Sequence, residues 1–182
     1  MRKSLILKLL LTALFAALTA AGAIFHIADA SFQSMFSVMA GILLGPIWGP
    51  ISQIVYILLG LVGLPIFIAG SGIAYVTFPT FGYLLGMVLA AFITGILTEK
   101  TEWNIWLISA LGFLSVYLLG IPYTYICLKY ISPEYIEPGQ KMTVLAAVNI
   151  GIVNIPADFG KWFIAAPISK RLLPIWRKDL YQ

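Results

Sequence analysis

Asp158 and Lys161 both interrupt an otherwise apolar run, Asn154-Ile-Pro-Ala-Asp-Phe-Gly-Lys-Trp-Phe-Ile-Ala-Ala-Pro167. In lipid, each would cost roughly 2.5–3.5 kcal/mol near the centre of a helix. Spaced i, i+3, they share a helix face. Ionisable groups inside a membrane usually face a cavity, so the pair reads as a polar anchor for a ligand. A self-neutralising ion pair that serves only the fold is the alternative. Asn154 followed by Pro156 has the form of a helix start. The positive end of a helix beginning there would act with Lys161 to favour an anionic group.

A second stretch with chemical potential is Gly63-Leu-Pro-Ile-Phe-Ile-Ala-Gly-Ser-Gly-Ile-Ala-Tyr-Val-Thr-Phe-Pro-Thr-Phe-Gly-Tyr83. Its glycines permit close backbone approach and exposed N–H groups, and Phe67, Tyr75 and Tyr83 supply flat surfaces. Spacing alone leaves two readings open, a flexible external loop and a ligand-binding one. No phosphate loop is present, because Gly160-Lys161 is followed by Trp162 and not by Ser or Thr. One histidine, His26, and one cysteine, Cys127, fall short of the usual ligand count of a metal site. A serine or cysteine nucleophile would have only His26 as an imidazole base. Asp158 is the only acidic residue well inside an apolar run, which weighs against an intramembrane enzyme built on paired carboxylates.

The elements that must position these residues are membrane spans. Hydrophobic residues make up 61% of the 182 and charged residues 10%, against about a quarter charged in an average soluble domain. So few charges could not coat a soluble fold, and lipid must be the solvent for most of the surface. Apolar runs fall at about 5–25, 32–45, 50–69, 80–97, 104–128 and 142–174. The expectation is an all-α integral membrane protein, one domain over 1–182 with about six transmembrane helices. Gly45-Pro46 and Gly49-Pro50 punctuate the second and third runs, and the second is short for a core about 30 Å thick. The Gly-rich stretch joins spans three and four. Arg2, Lys3 and the apolar stretch ending Ala21-Gly22-Ala23 also imitate a signal peptide.

The basic residues give a direction. With the N-terminus inside, eight cations lie at inner ends: Arg2, Lys3, Lys8, Lys100, Lys170, Arg171, Arg177 and Lys178. Two, Lys129 and Lys141, lie in outer loops. By the positive-inside rule both termini are cytoplasmic in a cell-membrane protein. The Gly-rich stretch and the segment 129–141, with its Ser132-Pro133 and Glu137-Pro138-Gly139 turns, are then external. The net charge of +4 sits at the ends of apolar runs, where the lipid bilayer's anionic headgroups, and not nucleic acid, are the expected partner. In the first run Ala13-Ala17-Ala21 and Ala16-Ala20 form small-residue stripes. Such stripes let helices approach closely, against a partner or within the same chain.

From Phe32 onward the chain resembles the BioY family, the biotin-specific substrate-capture (S) subunits of energy-coupling-factor (ECF) transporters. The matching residues are Phe32-Gln33, Ala40-Gly41-Ile-Leu-Leu-Gly45-Pro46 and Gly49. They continue with Tyr56-Ile-Leu-Leu-Gly60-Leu-Val-Gly63-Leu-Pro65-Ile-Phe67, Gly70, Gly72 and Pro79-Thr80-Phe-Gly82-Tyr83-Leu-Leu-Gly86, and end with Pro156-Ala-Asp158-Phe-Gly-Lys161. Phe81, where the family more often has glycine, and Ile27-Ala-Asp-Ala-Ser31, where it usually has prolines and a threonine, depart from the pattern. The resemblance implies a retained first span and a six-helix protein that takes biotin from outside. Its partners would be a transmembrane coupling (T) subunit and two cytoplasmic ATPases. It implies no cofactor and no catalysis. Asp158, Lys161, Tyr83, Gly70, Gly72, Phe67, Gln33 and Thr80 are then the expected biotin contacts. Ala13, Ala17, Ala21, Ala16 and Ala20 become the expected coupling surface. Another vitamin on the same scaffold, an intramembrane enzyme and a structural membrane subunit are the alternatives.

Overall fold

The computed structural model describes residues 2–27, 30–133, 142–153 and 155–181. Among them are six α-helices: α1 (Arg2–Ile24), α2 (Gln33–Leu61), α3 (Phe81–Lys100), α4 (Ile105–Ile126), α5 (Val144–Ile152) and α6 (Ile155–Tyr181). A two-stranded antiparallel ribbon, β1 (His26–Ile27) with β2 (Ala30–Ser31), joins α1 to α2. The Gly-rich stretch contains a 3-10 turn at Ile73–Thr77, and α4 ends in a π-turn at Cys127–Ile131. Four of the described segments are long and apolar enough to cross a membrane: Ser4–Ile24, Gln33–Leu61, Phe81–Lys100 and Ile105–Ile131.

Helix α2 joins the second and third apolar runs but is not straight. Gly45 adopts φ 82° and ψ −177°, a conformation that L side chains rarely enter, and Pro46 follows it. The chain folds back on itself there. A Cβ on Gly49 would lie 2.8 Å from the Cα of Gly41. At the open end of the hairpin the Gln33 amide donates to the Tyr56 hydroxyl; a straight helix would hold these two residues about 34 Å apart. The two arms, 33–44 and 46–61, therefore take the place of the runs expected at 32–45 and 50–69, but the second stops at Leu61, and 62–69, with Gly63 and Pro65, is not helical. The first arm, about 18 Å long, is shorter than a bilayer core.

The last run, expected as one segment over 142–174, is two helices. Helix α5 ends at Ile152 and α6 begins at Ile155, just before Pro156, whose missing N–H is harmless only in a helix's first turn. Helix α5 is 9 residues long, and α6 continues to Tyr181. Asn154 and the Glu137-Pro138-Gly139 turn lie outside the described residues.

The helix ends sort into two faces. Phe32 N–H donates to Gly22 O at 2.9 Å, bringing the end of α1 to the start of α2. The open end of the α2 hairpin lies there too, with the start of α3, the end of α4 and the start of α6, because all of these approach one cavity. Passages thus alternate through α1, the two arms of α2, α3, α4 and α6. The interior between them is close-packed: a Cβ on Gly41 would lie 2.8 Å from the Ala91 carbonyl carbon of α3, and Phe15 of α1 meets Trp176 of α6 edge to face at 5.9 Å.

Candidate functional site

Asp158 lies in the first turn of α6 and Lys161 one turn later, both under a tenth exposed, and the two form an ion pair. Lys161 Nζ also donates to Ser31 O at 2.8 Å and to Ser34 Oγ at 3.0 Å. Ser34 Oγ in turn donates to Asp158 Oδ1 at 3.1 Å, and the Tyr117 hydroxyl of α4 donates to Asp158 Oδ2. The carboxylate also sits where the α6 dipole favours negative charge. Hydrogen bonding of this kind is what makes a buried pair tolerable, and it leaves each member with partners besides the other.

The pair is not sealed in the core. It lines a cavity of about 340 Å³, within the range of small-molecule sites. Leu84, Met87, Val116, Leu128 and Ile150 supply apolar walls, while Ser31, Gln33, Ser34, Tyr75, Thr80, Tyr83, Tyr117 and Thr124 supply polar groups. The ring of Tyr83 stands edge-on to that of Tyr117 at 5.9 Å. An apolar chamber with a few convergent polar groups suits a small ligand with an apolar body and a polar head.

The Gly-rich segment 62–80 covers the chamber through Ile68, Tyr75, Pro79 and Thr80, and it is fastened at both halves. In the first half, the Phe67 ring fills the notch where a Cβ on Gly60 would be, edge-on to Tyr56 and 4.5 Å from Tyr75. Tyr56 donates to Ile66 O at 3.0 Å, and Gly72 N–H to Gly60 O at 2.8 Å. In the second half, the end of α4 donates to loop carbonyls. Thr124 reaches Pro79 O, Cys127 and Ser132 reach Thr77 O, and Tyr123 reaches Val76 O. Tyr75 and Thr80 pair through their hydroxyls at 2.9 Å, and burial pushes the Tyr75 phenol above its ordinary pKa.

Of the residues expected at the site, Asp158, Lys161, Tyr83, Gln33 and Thr80 line the cavity together. Phe67, Gly70 and Gly72 are not among its lining. Gly72 N–H, expected to be free for a ligand, is used within the loop, and Gly70 bridges to Phe67. Both amide groups of Gln33 are engaged, its nitrogen with Tyr56 and its oxygen with Ser31. Sequence reasoning missed Ser31, Ser34, Tyr117 and Thr124. The one available signal was hydroxyl residues set among apolar ones, which many helices carry without function. On α1, Ala13 and Ala17 face outward and Ala21 is half-buried. Ala16, expected on the coupling surface, is instead core, beside Phe15, and Ala20 packs against that core. The two stripes point to different sides, because residues three apart in a helix are about 60° from alignment.

Fold and cavity together define a multi-pass membrane protein with a ligand-sized chamber toward one face. The family model described as BioY family matches residues 1–178, and the chain belongs to that family. A "Probable biotin transporter BioY" of Lysinibacillus sphaericus is 37% identical over 180 residues, covering 94% of this chain and 89% of that one. A "Biotin transporter BioY" of Thermotoga maritima is 32% identical over 146 residues, 78% of this chain and 79% of that one. Among solved structures, the "S-component for biotin from an ECF-type ABC transporter" superposes with a TM-score of 0.68 at 26% identity, over 92% of this chain and 90% of that one.

Proposed function

We infer that this protein is the biotin-capturing S-component of an ECF-type transporter. The observation that carries the reading is the buried Asp158–Lys161 pair facing a small chamber, in a chain of the BioY family. Biotin's ureido ring has two N–H donors and one carbonyl acceptor, its bicycle is otherwise apolar, and its tail ends in a carboxylate. Asp158 accepts a ureido N–H, and Lys161 donates to the carbonyl or the carboxylate. Leu84, Met87 and Val116 meet the bicycle, with Tyr83 beside it, and Tyr75 and Thr80 reach it from the covering segment.

Residues 1–182 act as one membrane domain with both termini cytoplasmic and the chamber open to the outside. A transmembrane coupling subunit and two cytoplasmic ATPases supply the energy, and Ala13 and Ala17 face the coupling subunit. No cofactor takes part; biotin is the ligand. The test is co-expression of the chain with a coupling module in cells lacking other biotin uptake. Labelled biotin should accumulate in an ATP-dependent manner, with the coupling subunit co-purifying. Uptake unaffected by deleting the chain would overturn the assignment.

A further inference from the structure

Tyr117 lies on the wall of the chamber, and its hydroxyl is the donor that reaches Asp158 Oδ2. Oδ1 is already crowded, because it takes both Ser34 and Lys161. A carboxylate offers about four acceptor positions, so three are occupied and the one left is on Oδ2. Any N–H that a ligand brings to Asp158 must therefore arrive at the oxygen that Tyr117 already holds. Nothing in the ion pair itself dictates this. Without the Tyr117 hydroxyl, Oδ2 would have two open positions, and the direction of approach would be loose.

We propose that Tyr117 is a specificity-determining positioning residue: by occupying one side of Asp158 Oδ2, it leaves a single acceptor site that admits one ring N–H of a cyclic urea. The proposal rests on the biotin reading above and deepens it. Its consequence is chemical. Alkylating the ureido nitrogen that meets Asp158 removes the only donor the site can accept, whereas alkylating the other nitrogen does not. The ring of Tyr117, edge-on to Tyr83, packs whether or not the hydroxyl is present, so the two roles can be separated.

The experiment titrates biotin and its two ureido N-methyl isomers into the purified parent chain and into Tyr117→Phe. One isomer should bind the parent about tenfold or more weakly than biotin does. Tyr117→Phe should weaken biotin about tenfold, through a misdirected carboxylate. It should bind the disfavoured isomer within about twofold of the parent, because the contact that Tyr117 directs is already lost. Equal weakening of all three ligands would show a packing role and overturn the proposal. So would unchanged biotin affinity, or a parent that binds both methylated isomers as tightly as biotin, a comparison that needs no variant to fold. A parent that binds no biotin at all would instead overturn the functional reading.

Discussion

Replacing Asp158 with Asn keeps the shape of the side chain and removes its charge, and its surroundings set the size of the effect. Three donors converge on this carboxylate: Ser34 and Lys161 at Oδ1 and Tyr117 at Oδ2. An amide offers one acceptor oxygen and one NH₂: its oxygen can stay with Ser34 and Lys161, but its NH₂ then meets the Tyr117 hydroxyl, which has to turn from donating to accepting. Lys161 is not stranded, because the Ser31 carbonyl and the Ser34 hydroxyl still accept from it. The loss of stability should therefore stay below the roughly 3–5 kcal/mol of a fully broken buried pair. Binding loses a charge-assisted hydrogen bond worth roughly 1.5–3 kcal/mol, or about ten- to hundredfold in Kd. Lys161→Met should act similarly, leaving Asp158 with Ser34 and Tyr117. Isothermal titration with biotin and thermal denaturation in detergent, on both single variants and the double, separate the contributions. The single variants should fold and bind more weakly, and the double change should not restore binding. Unfolded single variants, rescued as a double with affinity intact, would make the pair purely structural. Folded single variants binding as tightly as the parent would remove both residues from the site.

Topology is checked by labelling intact cells with an impermeant thiol reagent, in a Cys127→Ser background that keeps a donor for Thr77 O. Gly139→Cys should react and Lys178→Cys should not; the reverse pattern would invert the orientation. On α1, Ala17→Trp should abolish assembly with the coupling subunit and leave biotin binding by the isolated chain intact. Ala16→Trp, entering the core, should lower thermal stability and binding together. Gly41→Ala should destabilise the chain by about 1–3 kcal/mol, read as a lower thermal midpoint, because its Cβ meets the α3 backbone at Ala91.

Much of this architecture was legible in the sequence because lipid leaves few options. Apolar runs of helical length have to be helices, and Gly45-Pro46 marks a place where one cannot continue straight. The expense of burying Asp158 and Lys161 singled them out without any structure. The contacts around them were harder to see. Ser31, Ser34 and Tyr117 reach Asp158 or Lys161 across more than forty residues of chain, and a serine in an apolar run looks the same whether or not it has such a partner. The glycines misled for a related reason. Composition announces that Gly60 and Gly72 need close approach or an unusual conformation, but only the fold shows that what approaches is Phe67 and the chain's own carbonyl. The Ala stripes divided for reasons of helix geometry that depend on which face α2 covers.

The most direct measurement is titration of biotin into the purified chain in detergent, with no coupling subunit or ATPase present. Capture by the chamber around Asp158 and Lys161 predicts saturable binding at one site per chain, uncompeted by vitamins that lack a ureido ring. No binding by the folded chain, or binding only in the presence of the coupling subunit, would contradict it.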